Sequence, residues 1–202
     1  MPHRVIDLAA WPRRPHFEHF RGYLIPHACL AARVDVTDLR AAAKAEGASL
    51  FATLLHAACG AANAVPALRQ RIRGDAVVEH DVVHPSFTVA GPDDTFSYCH
   101  GTYHADRATF LRGVAAARDA LAGRASVVED PDDDRLYVTS LPWLDFLSVQ
   151  HPQRAPADSV PRIAWGKVVA VGDRFETTLS IQAHHALADG VHLARFFAAF
   201  GA

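Results

Sequence analysis

Residues 174–183 alternate with a period of two: Phe175, Thr177, Leu179, Ile181 and Ala183 are interleaved with Glu176, Thr178, Ser180 and Gln182. A pleated strand places successive side chains on opposite faces, so this segment predicts a strand with one face in a core. It runs into the turn His184-His185-Ala186-Leu187-Ala188-Asp189-Gly190. Beyond Asp189 the period becomes helical, with Leu193, Phe196, Phe197 and Phe200 on one stripe. Strand, short turn and amphipathic helix in direct succession demand a sheet with helices packed on it, which excludes an all-helical or an all-strand fold.

The rest of the chain fits that frame. Residues 15–21 predict a short helix, and residues 23–36 an apolar strand in which Pro26 marks a bulge or an edge. Thr37 is expected to cap a helix that Gly47 ends. Ser49 opens an uncharged helix that Pro66 stops; the run 47–68 has the length of a membrane span, but His56, Asn63, Pro66 and its many small residues suit burial in protein. Residues 71–81 read as a hairpin around Gly74-Asp75. Residues 86–89 and 95–101 read as strands flanking a Gly-Pro-Asp-Asp turn, and Asp106 caps an Ala-rich helix reaching about Gly123. The acidic segment 129–134 is expected to be a solvated turn, with strands following at 136–140 and 162–171. Without repeats or a Pro/Gly/Ser-rich linker, one domain is expected over residues 1–202, in the α+β class: a two-layer sandwich, a large mixed sheet covered by helices.

Composition excludes several functions. Half of the 202 residues are apolar, which rules out a disordered chain. A net charge of −2 with scattered Lys and Arg offers no field for phosphate backbones, so no nucleic acid is expected. The opening Met-Pro-His-Arg lacks the apolar stretch of an export signal, so a cytoplasmic protein, off the membrane, is expected. Cys29, Cys59 and Cys99 are odd in number and widely spaced, so reduced, buried thiols are expected. His80 with His84, and His100 with His104, share a four-residue spacing, but on strands this separates them by about 13 Å, and no metal is expected.

The turn at 184–190 is the chemical candidate. A neutral imidazole can take a proton from a hydroxyl and hand it to a leaving thiolate, because it titrates near pH 6.5. Adjacent side chains diverge, so at most one of His184 and His185 faces a given site. Asp189 could cap the helix, pair with an arginine or orient the turn, and Gly190 is expected to let the backbone pass where a Cβ would not fit.

Read as HHxxxDG after Leu179-Ser180-Ile181-Gln182, this turn resembles the active-site turn of the chloramphenicol acetyltransferases. The likeness continues in Ile6-Asp7-Leu8 with Trp11-Pro12-Arg13-Arg14-Pro15-His16-Phe17, in His84-Pro85-Ser86-Phe87-Thr88-Val89, in Thr95-Phe96-Ser97, in Val138-Thr139-Ser140-Leu141-Pro142-Trp143 and in Gly166-Lys167. Dihydrolipoyl acyltransferases usually carry Asp-His-Arg at the turn and bring lipoyl domains; condensation domains fuse two such folds. Both fit less well.

The resemblance implies an acetyl-CoA-dependent O-acetyltransferase acting on the primary hydroxyl of chloramphenicol, with acetyl-CoA as co-substrate and no resident cofactor. It assigns His185 as general base, Thr139 as the oxyanion donor where the family usually has serine, and Asp189 with Arg13 as a buried ion pair holding the turn. His184 is assigned to packing. Ala164 stands where the family has a helpful threonine. Trp143 and Lys167 match coenzyme-binding positions. Phe20, Leu24, Thr88 and Phe96 fit an apolar acceptor pocket, whereas His19, His151, Gln153 and Arg162 are polar where the family tends to be apolar, which favours a more polar alcohol or amine as the alternative acceptor. A silent binding protein is a third reading. The family implies a homotrimer with sites between subunits, and the stripe of Leu193, Phe196 and Phe197 is compatible with that.

Overall fold

The computed structural model describes residues 2–121, 127–128 and 130–201. In chain order the elements are β1 (His3–Val5), α1 (Arg14–Phe20), β2 (His27–Asp35), α2 (Thr37–Ala45), α3 (Leu50–Asn63), α4 (Pro66–Arg69), β3 (Gln70–Arg73), β4 (Ala76–His80), β5 (His84–Ala90), β6 (Phe96–His100), α5 (Arg107–Leu121), β7 (Arg135–Ser140), β8 (Arg162–Trp165), β9 (Val169–Val171), β10 (Arg174–His184) and α6 (Gly190–Ala199). The fold is α+β, as expected. A seven-stranded mixed sheet runs β2-β10-β8-β7-β5-β6, with β9 also on β10, and a separate three-stranded sheet runs β1-β4-β3. The β5–β7 and β7–β8 pairs are parallel.

Register gives the large sheet two unlike faces. Phe87, Val138, Ile163 and Ile181 are aligned across β5, β7, β8 and β10. They share a core with Leu55 and Ala58 of α3, Phe110 of α5, and Leu193 and Phe196 of α6. The intervening residues make a polar row on the other face: Ser86, Tyr137, Arg162, Gln182 and Cys29. Beside it runs a row of small side chains: Thr139, Ala164, Ser180 and Ala31.

Several local expectations hold. Asp189 is the N-cap of α6, Asp106 Oδ1 accepts from the Thr109 amide at 2.9 Å, and the 70–80 hairpin turns at Gly74 with φ +60°. Others need correction. The strand expected from residue 23 begins at His27, since Pro26 cannot donate to the ladder. Thr37 is the first helical residue rather than the cap; Asp35 Oδ1 accepts from its amide.

The strand expected over 162–171 is two strands. The Lys167 amide donates to the Leu144 carbonyl, and that oxygen would lie 2.7 Å from any Cβ at residue 166, so only glycine fits there. The acidic segment is no solvated turn: Asp133 pairs with Arg73 and His80, Asp130 with Arg135, and Asp134 is fully buried. Hydrogen bonding from Arg73 holds the Asp133 carboxyl far below the usual range against the opposing effect of its burial. Glu129 and the expected helix end at Gly123 lie outside the described residues. Cys59 and Cys99 are buried thiols, but Cys29 is exposed on the edge strand. Leu193 and Phe196 are fully buried within the chain, so this part of the stripe serves the fold and gives no argument for assembly.

Candidate active site

The turn after β10 is held from three directions. The His185 amide donates to the Pro26 carbonyl at 2.7 Å. Arg13, immediately before α1, donates to Asp189 Oδ2 at 2.7 Å and to the His185 carbonyl at 3.3 Å. Asp189 Oδ1 accepts from the Val191 amide at 3.2 Å and lies 2.8 Å from His192 Nδ1. Burial alone would raise the Asp189 carboxyl, but Arg13 and His192 together outweigh it and hold it well below the ordinary carboxylate range. The Arg13–Asp189 pair, expected to be buried, is partly open, with side chains 15% and 29% exposed. The cost of breaking it in a single chain is lowered accordingly.

The ring of His185 has a defined tautomer. Its Nδ1 lies 3.0 Å from the Ala188 carbonyl, which can only accept, so Nδ1 donates and in the neutral ring the lone pair sits on Nε2. Phe20 packs on this ring with centroids 4.2 Å apart. His184 points the other way: it is 3% exposed, and its Nδ1 accepts from the Ala186 amide. Burial, and then neighbouring His27, push its pKa down to about 4. Gly190 is not a close-approach glycine, because a Cβ there would meet nothing within 4 Å; it is the exposed first residue of α6. His19 lies in the same region and hydrogen-bonds the Tyr23 hydroxyl at 2.8 Å, while Leu24 is 88% exposed.

A second group gathers on the polar face of the sheet. A cleft of about 870 Å³ is lined by Thr88, Phe96, Thr139, Trp143, His151, Gln153 and Arg162, among others. The Thr88 and Thr139 hydroxyl oxygens are 3.2 Å apart. Trp143 stands at the rim, 72% exposed, and the backbone joins its neighbour Leu144 to Lys167. Ala164 is aligned with Thr139 and fully buried. Sequence reasoning missed Ser86, Tyr98 and Tyr137 as lining residues. The period of two was the available signal, since residues 86 and 88, 96 and 98, and 137 and 139 each share a face.

These two groups do not meet within one chain. Thr139 is aligned through Ala164 with Ser180, two strands away. His185 lies five residues beyond Ser180. Rise and strand spacing together separate the backbones of Thr139 and His185 by about 20 Å. Phe20 and His19, in ring contact with each other, lie with His185, while Thr88, Phe96 and His151 lie with Thr139; Leu24 is exposed on the segment before Pro26. Among the described residues no cluster of His, Cys, Asp or Glu could hold a metal ion, and no helix is long and apolar enough to cross a membrane.

Comparison with known proteins agrees with this architecture. The family model for chloramphenicol acetyltransferase matches residues 1–200. The chain is 34% identical over 197 residues to the chloramphenicol acetyltransferase of Streptomyces acrimycini, covering 94% of this chain and 89% of that protein. It is 28% identical over 200 residues to chloramphenicol acetyltransferase 3 of Escherichia coli, covering 97% and 94%. A solved chloramphenicol acetyltransferase superimposes with a TM-score of 0.85 at 26% identity over 98% of both chains. The dihydrolipoamide acetyltransferase of Azotobacter vinelandii, at 19% identity and a TM-score of 0.66 over 91% and 83%, shares the fold. The two-faced sheet, the HHxxxDG turn and these matches together establish that the chain belongs to the chloramphenicol acetyltransferase family and is an acyltransferase.

Proposed function

We propose that the protein transfers the acetyl group of acetyl-CoA to an alcohol of the chloramphenicol type, esterifying its primary hydroxyl. The observation that carries this reading is the tautomer of His185, whose Nε2 is left free to accept a proton. The acceptor oxygen attacks the thioester carbonyl as its proton passes to Nε2. The tetrahedral intermediate then collapses, the C–S bond breaks, and the same proton returns to the leaving thiolate, giving ester and free thiol. Thr139 donates to the oxyanion, with Thr88 donating in turn to Thr139 and so aiming the Thr139 proton at the substrate. Trp143 and Lys167 receive the coenzyme, the ring by packing and the cation by pairing with its phosphates.

A distance of about 20 Å between Thr139 and His185 along the sheet cannot be crossed by one proton transfer. A neighbouring subunit is therefore needed, and we take it to be that of the homotrimer implied by the family resemblance, with His185, Phe20 and Leu24 of one subunit facing the cleft of the next. His184, Asp189 and Arg13 position the turn. Residues 1–202 act as one acyltransferase domain, in the cytoplasm where its thioester substrate is found. The test is incubation with acetyl-CoA and chloramphenicol, with thiol release followed by colour and the product by mass. One thiol per monoacetyl ester is expected; a folded protein that releases no thiol with chloramphenicol or a panel of alcohols and amines would overturn the reading.

A further inference from the structure

The peptide unit between Ala188 and Asp189 is gripped from both sides. Its carbonyl accepts from His185 Nδ1 at 3.0 Å, and its N–H faces His192 Nδ1 at 3.3 Å. The same His192 nitrogen lies 2.8 Å from Asp189 Oδ1, while Asp189 Oδ2 accepts from Arg13. His192 occupies the N3 position of α6, where Glu or Gln ordinarily completes a capping box by accepting from the N-cap amide. An imidazole there sets one nitrogen against two groups.

A ring nitrogen either donates or accepts. Against its burial, which alone would raise it, the Asp189 carboxyl is held ionised by Arg13 and His192 and can only accept. The shorter contact therefore takes the proton: His192 Nδ1 donates to Asp189 Oδ1, and the approach of the Asp189 amide is secondary. Leu193 and Phe196 anchor the same helix in the core, so His192 projects from a fixed frame. The carboxylate is thus spanned between α6, through His192, and the start of α1, through Arg13, which also donates to the His185 carbonyl at 3.3 Å. Rotation of the 188–189 peptide would carry the Ala188 carbonyl away from His185 Nδ1. The ring would then be free to hold its proton on Nε2, and that nitrogen would have no lone pair with which to accept another.

We infer that His192 is a positioning residue for His185: by donating to the Asp189 carboxylate it holds the Ala188–Asp189 peptide in the orientation that keeps the His185 proton on Nδ1. Its consequence for rate rests on the acyl-transfer reading; its consequence for the tautomer does not.

The test compares the native full-length protein with His192→Gln, His192→Glu and His192→Ala in mildly alkaline buffer. Nitrogen NMR of the imidazoles reads the tautomer, thiol release with acetyl-CoA and chloramphenicol reads kcat and KM, and a thermal melt reads stability. A Gln side chain accepts through Oε1 and donates through Nε2. Glu is a standard residue for the cap, yet it has no proton to give and sets a second negative charge against Asp189. The Gln variant is expected to keep the Nδ1–H tautomer of His185 and a kcat within about threefold of native. The Glu and Ala variants should show mixed tautomers and a kcat per folded molecule lower by about tenfold, with KM unchanged for both substrates. A role confined to capping the helix predicts instead that Glu preserves the tautomer, the kcat and the melting temperature. An Nδ1–H tautomer that persists in the Glu and Ala variants, or a Gln variant as impaired as Ala, would overturn the inference. A tautomer that shifts as expected in a native protein without turnover would remove acyl transfer and leave the role of His192 standing; native turnover with an unshifted tautomer would do the reverse.

Discussion

The two faces of the large sheet are built from the same strands and differ in every physical respect. On the helix side Phe87, Val138, Ile163 and Ile181 are buried with nothing polar to satisfy. On the other side Ser86, Arg162 and Gln182 are also buried, each with a hydrogen-bonding side chain. Apolar burial is non-directional and tolerates any partner of suitable size, whereas a buried polar group specifies the geometry of its partner. If the polar face is the recognition surface proposed above, substitutions on the two faces should separate in their effects, the apolar face governing stability.

The largest separation is expected at the end of β10. His185→Ala should lower turnover by about 10²- to 10⁴-fold with the melting temperature nearly unchanged, because the proposed general base would act on the transition state and the ring hydrogen-bonds only its own turn. Steady-state thiol release beside a thermal melt checks this; a normal rate would remove His185 from the chemistry. On the helix side Phe196→Ala should do the opposite. It should cost about 3 to 5 kcal/mol of stability in denaturant unfolding, while the folded fraction turns over normally. A Phe196→Ala protein that keeps its stability but loses rate would break the division between the faces.

Thr139→Ala tests the polar face itself. Removing a positioned donor should reduce kcat by about 10²- to 10³-fold, and Thr139→Ser should preserve it. An unchanged kcat in Thr139→Ala would place the oxyanion elsewhere.

A smaller effect comes from His184. The folded pKa of His184 is pushed down to about 4, against about 6.5 for a free imidazole, so the unfolded chain binds the proton more readily. Its contribution is complete above about pH 6.5 and is lost as pH falls towards 4, a decline on the order of 3 kcal/mol. His184→Asn should flatten that part of the curve of unfolding free energy against pH. An identical slope in the variant would mean that the imidazole is not held neutral.

What the sequence revealed follows the same division. The apolar face was legible, because the alternation of 175–183 and the stripe of Leu193 and Phe196 depend only on neighbours a few residues away. The turn was legible as chemistry, and Thr88, Phe96 and Thr139 of the cleft were named only through the resemblance to the family. Features set by distant partners were not legible. The break at Gly166 depends on the Leu144 carbonyl, and the pairing of Asp133 depends on Arg73 and His80, more than fifty residues away. The course of residues 149–158 was missed for the same reason, since it is set by ties to Cys29 and Gln182 far along the chain.

The His185 turn and the Thr139 cleft are proposed to work together across subunits. Co-expression of His185→Ala chains with Thr139→Ala chains tests this directly, because each variant alone lacks one half of every site. Random assembly into trimers leaves about a quarter of the interfaces with both halves intact, so purified mixed assemblies should recover about a quarter of the native turnover. Mixed assemblies no more active than the average of the two variants, or a native single chain that is fully active on its own, would contradict it.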